Sequence, residues 1–347
     1  MLIDDYRNLP GEHCGSTAMR NLLHHYCGLE LSEEVVFGLG AGLDFLYFES
    51  TRFEPSVFTF GRSVTLEQDL ATTLGVDYRE QVEFDDDAAW QAVRQEVSEG
   101  RPTMPSGDAF YLDYRDFKVH FPAHRFVLVG YDDDQQIAMI ADRLDPEPQP
   151  CSYRALGLSR NPPEFISTYN LWGKFFGVEP RHSLEEAYAT ALALASRRML
   201  HGDPVTTEGL RAAAGDPSAG VATGVEGLSA FLREVPEWRH RDDRLLLARY
   251  ASDCIEKFGT GGGNFRVMYA EFLARARAAV PDLVPEGAPD LARRSANHWT
   301  ELATHLAELA EDGGEPASAS AVDSLDHILE LETRLFESIA ERAQPAL

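Results

Sequence analysis

Three side chains that lie far apart in the sequence could together perform nucleophilic catalysis: Cys14, His124 and Asp142. A cysteine thiolate is a strong nucleophile that needs a base beside it and a third group to orient the base. The apolar residues after Cys14 recur at helical spacing, at Met19, Leu22, Leu23 and Tyr26. Because the positive end of a helix dipole favours thiolate over thiol, this position predicts a reactive cysteine. The alternative is that Cys14 is a small buried apolar residue.

A β-hairpin is the element expected to position the base and its orienting group. Residues 126–131 have the strongest strand pattern of the chain, and an acidic turn separates them from a second strand at 137–141. His124 comes just before the first strand and Asp142 just after the second. Since residues that lie opposite each other in an antiparallel pair have Cβ atoms about 5 Å apart, the hairpin predicts an imidazole beside a carboxylate.

Asn8 is the candidate for a further role in catalysis. It lies six residues before Cys14, where its side-chain amide could join the backbone N–H of Cys14 in an oxyanion hole. An asparagine that forms a turn before Leu9-Pro10-Gly11 is the alternative.

Other histidines compete for the role of base. His13 is adjacent to Cys14 and is expected to point away from it at the start of the helix, while His24 and His25 lie too far along that helix. His120 lies in a loop four residues before His124. We favour His124 because the start of the strand fixes it opposite a carboxylate. The alternative for each is a surface histidine without a chemical role.

Composition limits the classes of function. A net charge of -26 over 347 residues argues against nucleic-acid binding, since phosphate would be repelled, and is compatible with a cationic ligand such as a polyamine or an amino sugar. Acidic solvation of the surface also explains most of the charge. The acidic N-terminus does not resemble a signal peptide, and the most apolar helix-like run, 187–195, is too short to cross a bilayer. The sequence therefore predicts a cytoplasmic protein that does not bind membranes.

The four cysteines are widely spaced, and none belongs to a CxxC pair. The sequence therefore indicates neither a zinc site nor a disulfide framework. We expect no metal and no bound organic cofactor.

The pattern changes from mixed to helical along the chain, which predicts an α+β protein of two domains. Proline becomes frequent after Asp145, and we place the boundary near Pro163, so that residues 1–163 form a catalytic domain with an antiparallel sheet. Residues 164–347 form a mainly α-helical domain. The helices predicted in the second domain are 183–200, 224–235, 242–257, 264–280, 289–311 and 324–343.

Several segments resemble one known family. Residues 12–23 (EHCGSTAMRNLL), 31–40 (LSEEVVFGLG) and 120–131 (HFPAHRFVLVGY) resemble the N-terminal domain of the butirosin-biosynthesis protein H family. Residues 261–266 (GGGNFR), with Met268 and Tyr269, resemble the helical companion domain that often follows it.

This resemblance implies a papain-like acyltransferase of natural-product (antibiotic) biosynthesis. Such an enzyme takes an acyl group from the phosphopantetheine thioester of an acyl carrier protein, holds it on Cys14, and passes it to a small-molecule amine acceptor, an aminoglycoside in the butirosin case. His124 would deprotonate the amine while Asp142 holds its tautomer. The basic clusters 197–198 and 239–241 could dock an acidic carrier protein, or they could be solvated helix surface.

Two other functions fit the same residues. A papain-like hydrolase, such as a peptidase or an amidase, shares the nucleophilic half-reaction. A non-catalytic binding protein could retain the scaffold without the chemistry.

Overall fold

The computed structural model describes residues 1–121, 124–163, 167–216, 218–312 and 319–343. The helices, in chain order, are α1 (Cys14–Cys27), α2 (Glu33–Leu39), α3 (Leu66–Leu74), α4 (Asp86–Ser98), α5 (Tyr153–Arg160), α6 (Leu184–His201), α7 (Pro204–Ala214), α8 (Gly224–Glu234), α9 (Arg244–Glu256), α10 (Arg266–Ala279), α11 (Ala288–Asp312) and α12 (Ala319–Ala340). The strands are β1 (Leu43–Glu49), β2 (Val57–Arg62), β3 (Asp77–Gln81), β4 (Met104–Gly107), β5 (His124–Arg125), β6 (Val127–Asp132), β7 (Ile137–Ala141), β8 (Gln149–Ser152), β9 (Trp172–Gly177) and β10 (Gly220–Thr223).

These elements form two compact units, each assembled from two separate segments of chain. The first unit comprises Met1–Val36 and Gly75–Arg181, and the second comprises Phe37–Leu74 and His182–Leu347. Antiparallel sheets occur in the N-terminal region and the C-terminal region is mainly helical, which confirms the α+β class. The domain boundary predicted near Pro163 lies beside residues 164–166, which are outside the described residues, and it stays a prediction.

Helix α1 begins and ends at residues suited to each position. The side chain of His13, the N-cap, accepts a hydrogen bond from the backbone N–H of Ser16. Gly28 ends the helix in the left-handed region, with φ of 64°, and its N–H donates to the carbonyl of His24. Glycine adopts this conformation at little cost, which explains why the helix ends here.

Two antiparallel sheets lie in the first unit. Their strand orders are β3-β9-β4-β5 and β6-β7-β8. The apolar face of α4, with Val93 and Val97, belongs to the same buried cluster as Phe126, Leu128 and Ile140. This core packs against the hairpin strands that precede Asp142.

The predicted hairpin is confirmed, with a different register at its open end. Strands β6 and β7 pair from Asp132↔Ile137 to Val127↔Ala141. Continuing that register would place Phe126, not His124, opposite Asp142. His124 instead lies on β5, where it pairs with Gly107 of β4. The His124 ring still reaches Asp142, with Nε2 2.9 Å from Oδ2.

The second unit is a helical assembly around one small sheet. Strand β1 pairs with β2 and with β10, and the rings of Phe45, Phe231 and Trp299 pack at centroid distances of 5.4 to 6.1 Å. Each of the six predicted helices is present, with ends within about five residues of those predicted. Helix α7 and strands β9 and β10 are additional to the prediction. Among the described residues, none of the helices is both long enough and apolar enough to cross a bilayer.

Candidate active site

Cys14 is the first residue of α1, and its side chain is buried, with 6% of its surface exposed. At this position the helix dipole is positive at the sulfur. The backbone N–H groups of Cys14 and Gly15 lie in the first turn, where no carbonyl of the helix can reach them. The start of the helix therefore places a thiol and hydrogen-bond donors close together.

The Cys14 sulfur forms side-chain hydrogen bonds with two imidazoles, those of His124 and His13. Burial raises the pKa of Cys14, but the hydrogen bonds and the charges of the two histidines outweigh it and hold the pKa well below its usual value. The lowered pKa favours the thiolate form of Cys14. Thiolate is the nucleophilic form of cysteine.

His124 joins the thiolate to a carboxylate. Its Nε2 lies 2.9 Å from Oδ2 of Asp142, and only 3% of the residue is exposed. Burial lowers the pKa of His124, whereas Asp142 and the Cys14 sulfur raise it, with a net value of about 9. His124 is thus an imidazolium at neutral pH, and Nδ1 is the ring nitrogen left for the sulfur.

Asp142 is held by groups on two loops. Its Oδ2 accepts a hydrogen bond from the Tyr114 hydroxyl at 2.9 Å, and Oδ1 accepts one from the backbone N–H of Arg143 at 2.6 Å. Nη2 of Arg115 lies 3.3 Å from Oδ2. Burial raises the pKa of Asp142, but the charge of His124 and its hydrogen bond, followed by Arg115, keep it well below its usual value. Asp142 is therefore ionised throughout the physiological range.

Tyr114 and Arg115 were not identified from the sequence. They lie in the irregular segment between β4 and β5, where no periodic pattern links them to Asp142. The only local signal was two large polar side chains in a long loop, and such residues are common on protein surfaces.

The side-chain amide of Asn8 donates to two backbone carbonyls, and its role as an oxyanion donor stays a prediction. Its Nδ2 donates to the backbone carbonyls of Asp142 and Asp145, at 2.8 and 2.6 Å, and both amide hydrogens are thereby used. Its Oδ1 accepts from Nδ2 of Asn21 at 2.8 Å. Asn8 thus ties α1 to the loop that carries Asp142.

The imidazole of His13 lies closer to the Cys14 sulfur than the sequence predicted. It was expected to point away from Cys14, yet it is hydrogen-bonded to the sulfur. Its Nδ1 accepts from the N–H of Ser16 at 3.1 Å, so in the neutral ring the proton is on Nε2, and that nitrogen can donate to a thiolate. The side chain of His13 therefore both caps α1 and interacts with the Cys14 sulfur.

Glu33, the first residue of α2, supports the segment before Cys14. Its buried carboxylate accepts hydrogen bonds from the backbone N–H of Glu12, at 2.9 Å, and of His13, at 2.7 Å. The Thr17 hydroxyl donates to the same carboxylate at 3.0 Å. Glu33 was not identified as a site residue from the sequence. Its contacts fix the approach of the chain to the nucleophile.

The competing histidine His120 contacts a different carboxylate. Its Nδ1 lies 2.6 Å from Oδ2 of Asp108, and Asp108 is fully buried. Of the histidines considered, His124 is the one that contacts Asp142.

The two arginines of the first basic cluster differ in exposure, since Arg197 is exposed and Arg198 is not. Arg198 is buried, and its Nη1 donates to Asp69 at 2.5 Å and to Ser63 at 3.0 Å. In the second cluster Arg239 and His240 are exposed. No group of three or more His, Cys, Asp or Glu side chains with metal-site geometry occurs among the described residues.

Two family models match the chain. Residues 13–143 match the model described as "Butirosin biosynthesis protein H, N-terminal". Residues 166–339 match the model described as "Domain of unknown function (DUF4872)". The first match contains Cys14, His124 and Asp142. A search of curated proteins gave no match.

Proposed function

Since the chain belongs to the butirosin biosynthesis protein H family and carries its helical companion domain, we propose that it is a cysteine-dependent acyltransferase. Family membership suggests an enzyme of biosynthesis with an acyltransferase-like function. In our proposal it takes an acyl group from the phosphopantetheine thioester of an acyl carrier protein and passes it to an amine. The observation that carries the proposal is the hydrogen-bonded series Cys14, His124 and Asp142 at the N-terminus of a helix.

The first step is acylation of Cys14. The thiolate attacks the thioester carbonyl, a C–S bond forms, and the oxyanion faces the N–H groups at the start of α1 that no carbonyl of the helix can reach. The bond to the phosphopantetheine sulfur then breaks, and His124 gives its proton to the leaving thiolate. Because one thioester replaces another, the acyl-enzyme is energetically accessible.

The second step is transfer to the acceptor. His124, now neutral, accepts a proton from the attacking amine, and the C–S bond to Cys14 breaks as the amide forms. Asp142 stabilises the imidazolium that results. Burial of Cys14 and His124 limits the access of water, which would otherwise hydrolyse the intermediate.

Placing the nucleophile on a helix and its activators on a sheet is the arrangement of papain-like cysteine enzymes, and we include that fold in the proposal. A cationic amine fits the net charge of -26. Docking of an acidic carrier protein at the exposed Arg239 and His240 also remains a proposal.

Intact-protein mass spectrometry tests the mechanism. Mixed with an acyl carrier protein thioester, the wild-type protein should gain the mass of one acyl group, and Cys14→Ala should gain none. Cys27→Ala is the matched control, because Cys27 lies at the other end of α1 and burial raises its pKa to about 11. A Cys14→Ala protein that still transfers the acyl group would refute the mechanism.

The fate of the acyl group separates transfer from hydrolysis. An amide that forms only when an amine is present supports the acyltransferase. Free acid at the same rate with and without amine would identify a hydrolase instead.

A further inference from the structure

A second carboxylate–imidazole pair, Asp108 and His120, lies in the same unit and has no part in the steps above. The Nδ1 atom of His120 is 2.6 Å from Oδ2 of Asp108. The other carboxylate oxygen, Oδ1, accepts from the backbone N–H groups of Phe110 and Phe121 at 3.1 and 2.8 Å. One oxygen therefore fixes the loop, and the other is used to orient a histidine.

The backbone that carries Asp108 adjoins the strand that carries His124. Asp108 follows Gly107, which is the cross-strand partner of His124. Adjacent Cα atoms are about 3.8 Å apart and cross-strand partners at most about 5.5 Å, so the Cα atoms of Asp108 and His124 are within about 9 Å. The segment that carries His120 also carries Phe117, whose ring centroid is 6.1 Å from that of His124.

His120 differs from His124 in exposure. Its side chain retains 33% of its accessible surface, whereas Asp108 is fully buried beneath it. The ring packs on Phe110 at a centroid distance of 4.2 Å. A buried carboxylate fixes the tautomer with the proton on Nδ1, which makes Nε2 the atom that accepts a proton. Asp108 and His120 are therefore arranged as a general base whose imidazole is partly exposed to solvent.

The proposed transfer releases one more proton than His124 can hold. An alkylamine is an ammonium ion at neutral pH, and it must lose one proton before it attacks and a second as the amide forms. His124 takes the second of these, which restores the thiolate–imidazolium pair. The first proton needs another acceptor.

We infer that His120, oriented by Asp108, accepts the proton that converts the acceptor ammonium into the attacking amine. The ammonium N–H bond breaks, its proton moves to Nε2 of His120, and the nitrogen lone pair becomes free to attack acyl-Cys14. The His120 imidazolium later releases this proton to solvent. The inference rests on the proposed acyltransferase function and adds that the acceptor binds as a protonated amine.

Two nucleophiles test this division of roles. Acetyl-Cys14 is formed with the acetyl thioester of N-acetylcysteamine and then treated at pH 7 with 1,3-diaminopropane, a protonated amine, or with hydroxylamine, which is uncharged. The test variant is His120→Gln, whose amide can still donate to Asp108 but cannot accept a proton. We expect it to form acetyl-Cys14 normally and to react with hydroxylamine at the wild-type rate. Its reaction with the diamine should be about 10²-fold slower.

The control variant is His305→Gln, on α11, which should match the wild type with both nucleophiles. Equal rates for His120→Gln and wild type with the diamine would overturn the inference. So would an equal loss with both nucleophiles, which would make His120 a structural residue, or a wild-type acyl-enzyme that reacts with hydroxylamine but not with the diamine. If wild-type Cys14 is not acylated at all, the proposed function itself fails and this inference fails with it.

Discussion

Each of the two units contains a buried ion pair, and the two pairs differ in the groups that they contact. In the second unit, Nε and Nη2 of Arg266 donate to the two carboxylate oxygens of Glu332 at 2.7 and 2.8 Å. Nη1 of Arg266 donates to the carbonyls of Gly61 and Asn264, and Glu332 also accepts from Ser295 and Trp299. In the first unit, the Asp142–His124 pair ends at a sulfur atom that can react.

The difference shows what a buried charge can be used for. Arg266 and Glu332 are both fully buried, and each of their polar atoms has a partner, so the pair can only hold its surroundings together. His124 has one nitrogen on a carboxylate and the other beside Cys14, so its proton can move during a reaction. We therefore expect substitutions in the two pairs to have separable effects, on stability in one unit and on chemistry in the other.

The largest effect is expected from Asp142→Asn. An amide in place of the carboxylate no longer stabilises the His124 imidazolium, so the pKa of His124 falls and that of Cys14 rises. We expect the rate of Cys14 acylation to fall by about 10²- to 10⁴-fold. Stopped acylation reactions analysed by mass spectrometry measure this, with the exposed hairpin residue Asp134→Asn as the control. An unchanged rate in Asp142→Asn would show that the first pair is merely structural.

Glu332→Gln should give the reverse result. It leaves the guanidinium of Arg266 buried without a counter-charge, which costs about 3–5 kcal/mol in the free energy of unfolding. Urea unfolding measures the loss, and Glu330→Gln, an exposed position on the same helix, should change it little. In the fraction that remains folded, Cys14 should be acylated at the wild-type rate. A large loss of acylation there would contradict the separation of roles.

The reaction rate of the Cys14 sulfur is expected to report how the Asp142–His124 pair depends on pH. Because the pKa of Cys14 is lowered, its alkylation by iodoacetamide should be nearly constant between pH 7 and 8.5. Cys27, with a pKa of about 11, should react about tenfold faster for each unit of pH over that range. Acylation by a thioester should decline as pH rises through about 9, because His124 then loses the proton that the leaving thiolate needs. Peptide mapping after alkylation distinguishes the two cysteines, and parallel profiles would contradict the assignment of a thiolate to Cys14.

Tyr114→Phe should have the smallest effect of this series. It removes one hydrogen bond to the Asp142 carboxylate, worth about 1.5–3 kcal/mol, and part of this loss should appear as slower acylation of Cys14. Tyr269→Phe is the matched control from the second unit. Tyr269 is buried, and among the described residues its hydroxyl has no hydrogen-bond partner, so its loss should alter neither acylation nor stability appreciably.

The elements with regular patterns could be predicted from the sequence. The helix after Cys14, the hairpin and the six helices of the C-terminal region each have a period that the chain repeats over several turns or alternations. The proximity of His124 to Asp142 also followed from the hairpin. The register did not, because it depends on a shift between Leu128 and Gly130 that leaves no mark in the pattern.

What could not be predicted depends on single contacts between distant segments. Asn8 has the right chemistry and spacing for an oxyanion donor, but two carbonyls of another loop use its hydrogens. His13 turns toward the sulfur because it also caps the helix. Tyr114 and Glu33 bind their partners from an irregular loop and from a different helix. Such contacts are set by tertiary structure, and local sequence does not encode them separately.

The Arg266–Glu332 pair limits how this protein can be cut into fragments for expression. The carbonyl of Gly61, which Arg266 binds, belongs to the early segment of the second unit, and Glu332 lies 271 residues later in the chain. Strand β1 is likewise completed by β10. A fragment cut from the gene after residue 163 or 181 would thus keep residues 37–74 while losing the helices that bury them, and the exposed apolar strand would favour aggregation. Expression of the full chain is the sounder route to an active N-terminal region.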